Sequence, residues 1–341
     1  MASPYLVAPE ELASLFPDEP GFRARQLSEW LYQHPVLTPD QMTNLSVGLR
    51  ASLEPLWPFA VEIEQEGDSG ATRKWLLRTP DGASIESVLM GYETRTTLCI
   101  SSQAGCAMAC TFCATGQFGF ERHLTAGEIT AQVALAEASL AAAPLPDSPQ
   151  RVNNIVFMGM GEPLANYAHV RESLRRLIET MGRSARSITV STVGVVPGIR
   201  RLATEPWPVN LAISLHAADD ALRSSLVPLN DRYPLETVIA AGVEFFEAKG
   251  RRVSIEWTLM NDVNDSDEQA EKLAAIALRM KAHVNVIALN PTPLTEHTAP
   301  TRESVTRFVE TARSRGANVT VRDTRGRDID AACGQLRARS G

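Results

Sequence analysis

The chain has 341 residues, of which 44% are hydrophobic, and a formal net charge of -7 at pH 7. This length suits one large α/β domain with a smaller appendage. The acidic balance argues against a protein that coats nucleic acid without sequence preference, since such proteins are usually strongly basic. No apolar run approaches the roughly 20 residues of a membrane span, and the N-terminus lacks the pattern of a signal peptide. We therefore expect a cytoplasmic protein.

Two small accessory regions are predicted before the main domain. Residues 1–60 are expected to be helical, because Phe22, Leu27, Trp30 and Leu31 are spaced as an apolar stripe that Pro-bearing segments interrupt. Residues 61–95 contain the segments VEIEQE, TRKWLLR and ASIESVLMGY, separated by the turn-rich GDSGA and TPDG. That pattern predicts a short antiparallel β-meander, which leads into a main domain over residues 96–341.

Strand-like and helix-like segments alternate from Thr97 onward. A helix is expected to begin at Thr125, because Glu128 three residues later completes a capping box. The strand candidates are TLCIS, NNIVFMGM, SITVSTVG, VNLAISLH, RRVSIEWTLM, HVNVIALN and NVTVRD. Repeated βα units predict a parallel sheet of the α/β class, and six or seven units fall short of a complete eight-stranded barrel. We therefore expect an open, partial barrel.

Cysteine spacing gives the strongest chemical signal in the chain. Cys106, Cys110 and Cys113 form a C-x3-C-x2-C pattern after the first strand of the predicted barrel. Thiolates are suitable soft ligands for a 4Fe-4S cluster, and three of them leave one iron open for another ligand. A disulfide framework is not expected, because such frameworks belong to oxidising compartments and short chains.

Structural zinc is the alternative for these cysteines. Such a site normally has four protein ligands in paired groups, and only one C-x2-C pair is present, although Cys99 could supply a fourth thiolate. This alternative describes a zinc-stabilised RNA-binding protein without catalytic activity.

The cysteine loop at this place resembles that of the radical SAM superfamily. In that superfamily the open iron binds the amino and carboxylate groups of S-adenosylmethionine, and one-electron reduction produces a 5'-deoxyadenosyl radical. The Gly-Glu-Pro of MGMGEPL resembles the superfamily element that contacts the amino group of this cofactor, which implies Gly161 and Glu162 as cofactor contacts. A plain βα turn with a capping glutamate is the alternative for that segment.

A closer resemblance is to the RlmN/Cfr family of this superfamily, whose members methylate adenine in RNA at carbon 2 or carbon 8. It covers most of the chain. It is carried by Cys99, seven positions before the first cluster cysteine, and by CATGQFGF, MGMGEPL, VSTVGVVPGI, AISLHA, ALNPTP and DIDAACGQL. Val193 is one departure, since a serine or threonine is more common at that position.

Roles for individual residues follow from this resemblance. Cys333 matches the cysteine that is itself methylated, Cys99 its disulfide-forming partner, and Glu86 the general base. Further cofactor contacts, at or near predicted strand ends, would be Ser191, Ser214, Leu215, His216 and Asn290. Each residue taken alone has an ordinary structural interpretation. Cys99 would be a buried strand residue, His216 a structural histidine, and Glu86 a solvent-exposed carboxylate.

The resemblance implies methylation of carbon 2 of a specific adenine in 23S rRNA and in tRNA, with S-adenosylmethionine used twice. A methylcysteine at Cys333 would become joined covalently to the RNA, and attack by Cys99 would release the product as a disulfide forms. The C-terminal segment must then fold back over the barrel mouth to bring the two Cα atoms within about 7 Å. Arg322, Arg325 and Arg327 would then lie near RNA phosphates.

Methylation at carbon 8 remains the nearest alternative, because both activities share these motifs. The expected partners are 23S rRNA, tRNA and an electron-donating, flavodoxin-like reductant, and the expected oligomeric state is a monomer.

Overall fold

A computed structural model describes residues 2–290, 292, 294–322 and 325–336. The N-terminal region is built from short helical turns, including α1 (Phe22–Ser28) and α2 (Val47–Ser52). Leu27 and Leu31 of the predicted apolar stripe are fully buried, whereas Phe22 is exposed and lies under the guanidinium of Arg23. The stripe is therefore narrower than the sequence predicts.

The strands account for most of the barrel framework. In chain order they are β1 (Ala60–Gly67), β2 (Thr72–Arg78), β3 (Ser84–Tyr92), β4 (Arg95–Cys99), β5 (Gln103–Gly105), β6 (Phe120–His123), β7 (Asn154–Phe157), β8 (Ile188–Thr192), β9 (Asn210–Ser214), β10 (Ser254–Leu259), β11 (His283–Ala288) and β12 (Asn318–Val321). Within the described residues, ten of them form one sheet in the order β1-β2-β3-β4-β7-β8-β9-β10-β11-β12.

That sheet is antiparallel from β1 to β4 and parallel from β4 through β7 to β12. The predicted partial barrel is therefore confirmed, and the meander is continuous with it through the pairing of β3 with β4. β5 and β6 form a separate antiparallel pair that the sequence analysis did not predict. This pair encloses the cysteine loop.

Helices cover the outer face of the parallel strands. The short α3 (Ala114–Gln117) is an exception, because it lies in the cysteine loop between β5 and β6. The covering helices are α4 (Ala126–Ala142), α5 (Tyr167–Arg175), α6 (Val196–Thr204), α7 (Asp220–Leu226), α8 (Leu235–Lys249), α9 (Asp267–Arg279) and α10 (Arg302–Ser314). The predicted capping box begins α4: the Thr125 hydroxyl accepts from the Glu128 N–H, and the Glu128 carboxylate accepts from the Thr125 N–H at 2.8 Å. Of the helices in the described ranges, none is long and apolar enough to cross a membrane.

β1 is one free end of the sheet and is strongly acidic. Glu62, Glu64 and Glu66 alternate along it and are largely solvent-accessible. Arg73 of β2 pairs with Glu64 at 3.3 Å and with Glu66 at 2.8 Å, and Arg78 pairs with Glu62. The arginines thus hold the carboxylates along the outermost strand.

Residues 325–336, hereafter the C-terminal segment, turn back across the meander. The backbone N–H of Asp68 donates to the Asp328 carboxylate at 2.9 Å, and the Asp68 carboxylate accepts from the Gly326 N–H at 2.8 Å. Lys74 of β2 reaches the carbonyl of Asp330 at 3.4 Å. These contacts fasten the segment to a part of the chain about 260 residues earlier in sequence.

Candidate active site

Three cysteines of the loop between β5 and β6 face one cavity inside the barrel mouth, hereafter the barrel cavity. Its empty space, including the part open to solvent, is about 950 Å³. Cys110 is buried, and Cys106 and Cys113 are half-buried. The N–H of Cys106 donates to the carbonyl of Gly119 at 2.8 Å, which closes the base of the loop.

Burial disfavours ionisation of the Cys106 and Cys110 thiols. It raises the pKa of Cys106 to about 12 and raises the pKa of Cys110 well above its ordinary value. Within the described residues no three His, Cys, Asp or Glu side chains are already gathered closely enough to form a metal site. The donor set nevertheless fits an iron-sulfur cluster, because three soft thiol ligands share one cavity.

The zinc alternative is not supported by the position of Cys99. This residue lies at the end of β4 and lines a second cavity, whereas Cys106, Cys110 and Cys113 line the barrel cavity. The structure therefore does not bring Cys99 to the other three cysteines as a fourth ligand.

Glu162 lies in the turn after β7 and lines the barrel cavity. Its carboxylate accepts from the N–H of Leu164 at 3.0 Å and from the N–H of Val193 at 2.9 Å. Burial raises the pKa of Glu162 to about 7, although these backbone hydrogen bonds oppose the shift. The capping alternative is thus correct for this carboxylate, which also forms part of the cavity wall.

Gly161 is required by the geometry of the same turn. Its φ is +97°, and a Cβ atom at this position would lie 2.4 Å from the Cβ of Gln103. The side chain of Gln103 in turn accepts from the N–H of Glu162 at 2.8 Å. Gly161 therefore lets the turn pack against β5 and fixes the position of the next residue.

Three of the predicted cofactor contacts at the ends of β8 and β9 also line the barrel cavity: Ser191, Ser214 and His216. Leu215 differs, because its side chain is fully buried away from the lining of the cavity. Its N–H donates to the carbonyl of Glu256, and its carbonyl accepts from Arg223. Leu215 therefore anchors this turn through its backbone.

His216 is a neutral, hydrogen-bonded histidine. Its Nδ1 accepts from the N–H of Thr258 at 3.0 Å, which leaves the proton of the neutral ring on Nε2. The ring lies edge-on to Phe112 with the centroids 4.5 Å apart. Burial, helped by the nearby charge of Arg223, lowers the pKa of His216 to about 3. His216 therefore has the hydrogen bond of a structural histidine, and it also lines the barrel cavity.

Asn290 follows β11 and contacts the C-terminal segment. Its Nδ2 donates to the carbonyl of Cys333 at 3.2 Å. Its Oδ1 is buried, and no described group hydrogen-bonds to it. A buried acceptor without a partner is costly, so this atom suits a donor group on a bound cofactor.

Cys333 lies where two cavities meet. It lines the barrel cavity together with the three loop cysteines, and it lines a second cavity together with Cys99, hereafter the thiol cavity. Its carbonyl is held by Asn290, and the carbonyl of the next residue, Gly334, accepts from the N–H of Ala114 at 2.8 Å. The side chain is solvent-accessible through the cavities, although the surrounding protein raises the pKa of its thiol.

Cys99 is buried at the end of β4, and burial raises the pKa of its thiol well above the ordinary value. The sulfur of Cys333 lies close enough to Cys99 that a negative charge on it disfavours ionisation of the Cys99 thiol. The nearby guanidinium of Arg322 acts in the opposite direction on both thiols.

Glu86 is buried, so its ordinary interpretation as a solvent-exposed carboxylate is wrong, and its role as general base stays a prediction. It lies on β3, and its carboxylate pairs with Lys74 at 3.3 Å. Lys74 also holds the carbonyl of Asp330, so Glu86 lies under the C-terminal segment. It is absent from the linings of both cavities.

The three arginines before Cys333 have different environments. Arg322 is largely enclosed, pairs with Glu256 at 3.4 Å and lines the thiol cavity. Arg325 lines the same cavity with its guanidinium 5.1 Å from the ring centroid of Tyr92. Arg327 is exposed. The expected location near RNA phosphates therefore fits Arg325 and Arg327 better than Arg322.

Arg223 is a structural residue that sequence reasoning missed. Its fully buried guanidinium donates to the carbonyls of Leu215 at 3.1 Å and Val193 at 2.5 Å, and to Asn230 Oδ1 at 2.8 Å. It therefore joins the turns after β8 and β9. Its position in the helical stretch ALRSSL gives no signal for this role.

Glu256 is a second residue that was missed. It is buried on β10, lines the barrel cavity and accepts from Asn285 at 2.8 Å. The sequence signal for a functional role of Glu256 was its charge within the otherwise apolar strand SIEWTL.

Comparisons with known proteins agree with this arrangement. Residues 100–274 match the Radical SAM superfamily, and residues 9–57 match the ribosomal RNA large subunit methyltransferase N-terminal domain. A "Probable dual-specificity RNA methyltransferase RlmN" of Parafrankia sp. (strain EAN1pec) is 50% identical over 354 aligned positions, covering 97% of this chain and 92% of that protein. The protein of the same description from Mycolicibacterium smegmatis is 49% identical, and the alignment covers 94% of this chain and 90% of that protein.

A solved structure is similar over the whole chain. The crystal structure of a radical SAM methyltransferase from Sphaerobacter thermophilus has 48% sequence identity and a TM-score of 0.93, with 99% of this chain and 100% of that chain covered. Members of the radical SAM superfamily use a 4Fe-4S cluster and S-adenosylmethionine, which fits the three thiols and the polar strand ends of the barrel cavity. The chain therefore belongs to the radical SAM superfamily and, within it, to the RlmN family of methyltransferases.

Proposed function

We propose that the protein methylates carbon 2 of a specific adenine in 23S rRNA and in tRNA, through a methylcysteine at Cys333 and a covalent enzyme-RNA intermediate. The observation that carries this proposal is the position of Cys333 at the junction of two cavities, one with the cluster cysteines and the other with Cys99. A carrier thiol needs access to both.

The cluster would be held by Cys106, Cys110 and Cys113. S-adenosylmethionine would be held by Gly161, Glu162, Ser191, Ser214, His216 and Asn290, with Leu215 contributing its backbone. When bound, this pair supplies the methyl group and the radical chemistry that an unactivated aromatic carbon requires.

The chain's own residues would carry the group and release the product. Cys333 would accept the methyl group on its sulfur and later tether the adenine through that carbon. Cys99 would attack the Cys333 sulfur as a thiolate, so that the S–S bond forms while the bond from that sulfur to the base-linked carbon breaks. The electron pair of the broken bond passes to that carbon, which takes up a proton and becomes the methyl group of the product. Glu86, held by Lys74, would take the proton from the ring carbon. Because Glu86 lies beneath the C-terminal segment, this last step requires the segment to shift.

Residues 1–60 are proposed as a second RNA-binding region beside the barrel of residues 96–341, with residues 61–95 joining the two. The match of residues 9–57 to a ribosomal RNA methyltransferase N-terminal domain supports this assignment. RNA bases that are modified in this way must be unstacked to reach a buried site.

The test is mass spectrometry of adenosines from RNA incubated anaerobically with reconstituted enzyme, reductant and cofactor that carries a deuterated methyl group. A two-deuterium 2-methyladenosine is expected, because one methyl hydrogen is lost at Cys333. Intact three-deuterium transfer would contradict the radical route, and 8-methyladenosine would place the activity at the other carbon.

Two matched cysteine variants test the separate roles. C333A should form no product and no adduct, whereas C99A should retain attachment to RNA but lose release, so that a covalent protein-RNA species accumulates. Full methylation by C333A would refute the methylcysteine route. Folding of both variants is checked by thermal unfolding.

A further inference from the structure

Two arginines contact a single tyrosine ring at the outer side of the thiol cavity. The guanidinium of Arg95 lies 4.2 Å from the ring centroid of Tyr92, and that of Arg325 lies 5.1 Å from the same centroid. Arg95 and Tyr92 are paired across the turn between β3 and β4, and Arg325 comes from the C-terminal segment. All three line the cavity that contains Cys99 and Cys333.

Among the described residues, these two guanidinium groups have no carboxylate as an ion-pair partner. Across the described ranges, neither Arg95 nor Arg325 makes a hydrogen bond or an ion pair with an acidic side chain. Arg322, deeper in the same cavity, is paired with Glu256. Two cations held at one aromatic ring, without a carboxylate partner among the described residues, favour an anion that binds both groups.

The geometry also restricts the kind of anion. Arg95 is exposed, and Tyr92 and Arg325 are half-buried, so the charges are presented at the surface while the thiols lie inside. The tyrosine ring holds each guanidinium by a cation–π contact and is thereby less available for stacking on a base. A ligand that places an anion outside and a neutral group inside matches this layout, and a phosphodiester chain with one base turned inward has that form.

We propose that Arg95 and Arg325, aligned by Tyr92, bind backbone phosphates of the RNA next to the adenine that enters the site. This inference rests on the proposed function and adds the residues that hold the strand. Because these contacts are made to phosphates, they contribute affinity and orientation without reading sequence. They also link RNA binding to Cys333, since Arg325 belongs to the same segment as the carrier thiol.

The test is the salt dependence of RNA binding by reconstituted enzyme. The probe is a synthetic hairpin with an unpaired adenosine in its loop, and its dissociation constant is measured between about 50 and about 200 mM KCl. Each phosphate contact to a single strand adds about 0.7 to the slope of the logarithm of the dissociation constant against the logarithm of the salt concentration. In the double variant R95Q/R325Q the slope should fall by about 1.4. The ratio of variant to wild-type dissociation constants should then shrink about sevenfold across this range.

Matched variants separate charge from general damage. R95K and R325K retain the charge and should keep most of the slope. R279Q removes an exposed arginine at the end of α9, which is paired with Glu236 of α8, and should leave the slope unchanged. In methylation assays the double variant should raise KM with little change in kcat, because it loses binding rather than chemistry.

The outcomes distinguish this inference from the proposed function. Wild-type enzyme that binds and methylates the hairpin, together with an R95Q/R325Q variant of unchanged slope, would overturn the inference alone. Wild-type enzyme that shows neither RNA binding nor methylated adenosine would overturn both. A reduced slope in the double variant that the lysine variants restore would establish the phosphate contact.

Discussion

The hydrogen bond between the Asp328 carboxylate and the backbone of Asp68 offers direct control over the C-terminal segment. Asp328→Ala removes this 2.9 Å contact and leaves the carboxylate of Asp68 bonded to the N–H of Gly326. A hydrogen bond to a charged group contributes about 1.5–3 kcal/mol when shielded, and exposure of Asp328 reduces this to about 1 kcal/mol. The open form of the segment should then become about fivefold more populated.

Hydrogen exchange measured by mass spectrometry is the assay, because local opening limits exchange of the backbone amides in this segment. The N–H of Ala331, bonded to the carbonyl of Gly326 at 2.8 Å, should exchange about fivefold faster in the variant. Asp328→Asn keeps an acceptor oxygen and should give a smaller increase, and Asp18→Ala, at an exposed position in the N-terminal region, is the control. Unchanged exchange in residues 326–335, or equal acceleration throughout the barrel strands, would refute the reasoning.

Three further predictions concern the turns of the barrel mouth. The pKa of His216 is lowered to about 3, so this side chain stays neutral in the folded chain while it gains a proton in the unfolded chain. The cofactor-free protein should therefore lose stability as the pH falls from about 6.5 towards 3, by up to about 1.4 kcal/mol per pH unit. In urea titrations, H216N should flatten this pH dependence. R223M should lower the free energy of unfolding by about 3–5 kcal/mol, because it leaves buried carbonyls unpaired, and a variant within 1 kcal/mol of wild type would contradict that role. G161A should lower the melting temperature more than G82A does, since both glycines have φ above +90° but only a Cβ at position 161 meets Gln103; equal shifts would mean that backbone strain alone matters.

The sequence predicted the barrel and the cysteine loop because both have local signals. Alternating apolar strands and amphipathic helices indicate βα units, and C-x3-C-x2-C depends only on spacing along one loop. Ser191, Ser214 and His216 were predicted from the resemblance to the RlmN/Cfr family, and they line one cavity because parallel strands end at the same edge of a sheet. Their grouping follows from topology, which the sequence pattern could indicate.

The remaining features depend on contacts between distant parts of the chain. Arg223 lies in a helix whose sequence resembles an exposed one, and its burial results from carbonyls of two separate turns. The burial of Glu86 contradicts its ordinary interpretation as an exposed carboxylate, because the segment that covers it comes from the other end of the sequence. The pairing of Arg95 with Arg325 through Tyr92 has the same origin. No local pattern encodes such contacts.

The acidic outer strand of the sheet has a consequence for self-association. In the described part of the chain β1 is the end strand of the sheet, so the backbone N–H and C=O groups of its outer side can pair with a strand from a second molecule. Glu62, Glu64 and Glu66 cover one face of this strand with carboxylates that are paired with Arg73 and Arg78, and a second molecule would have to desolvate these ion pairs in order to pack there. Replacing these glutamates with valine should therefore make β1 the strand at which intermolecular β-pairing, followed by aggregation, starts.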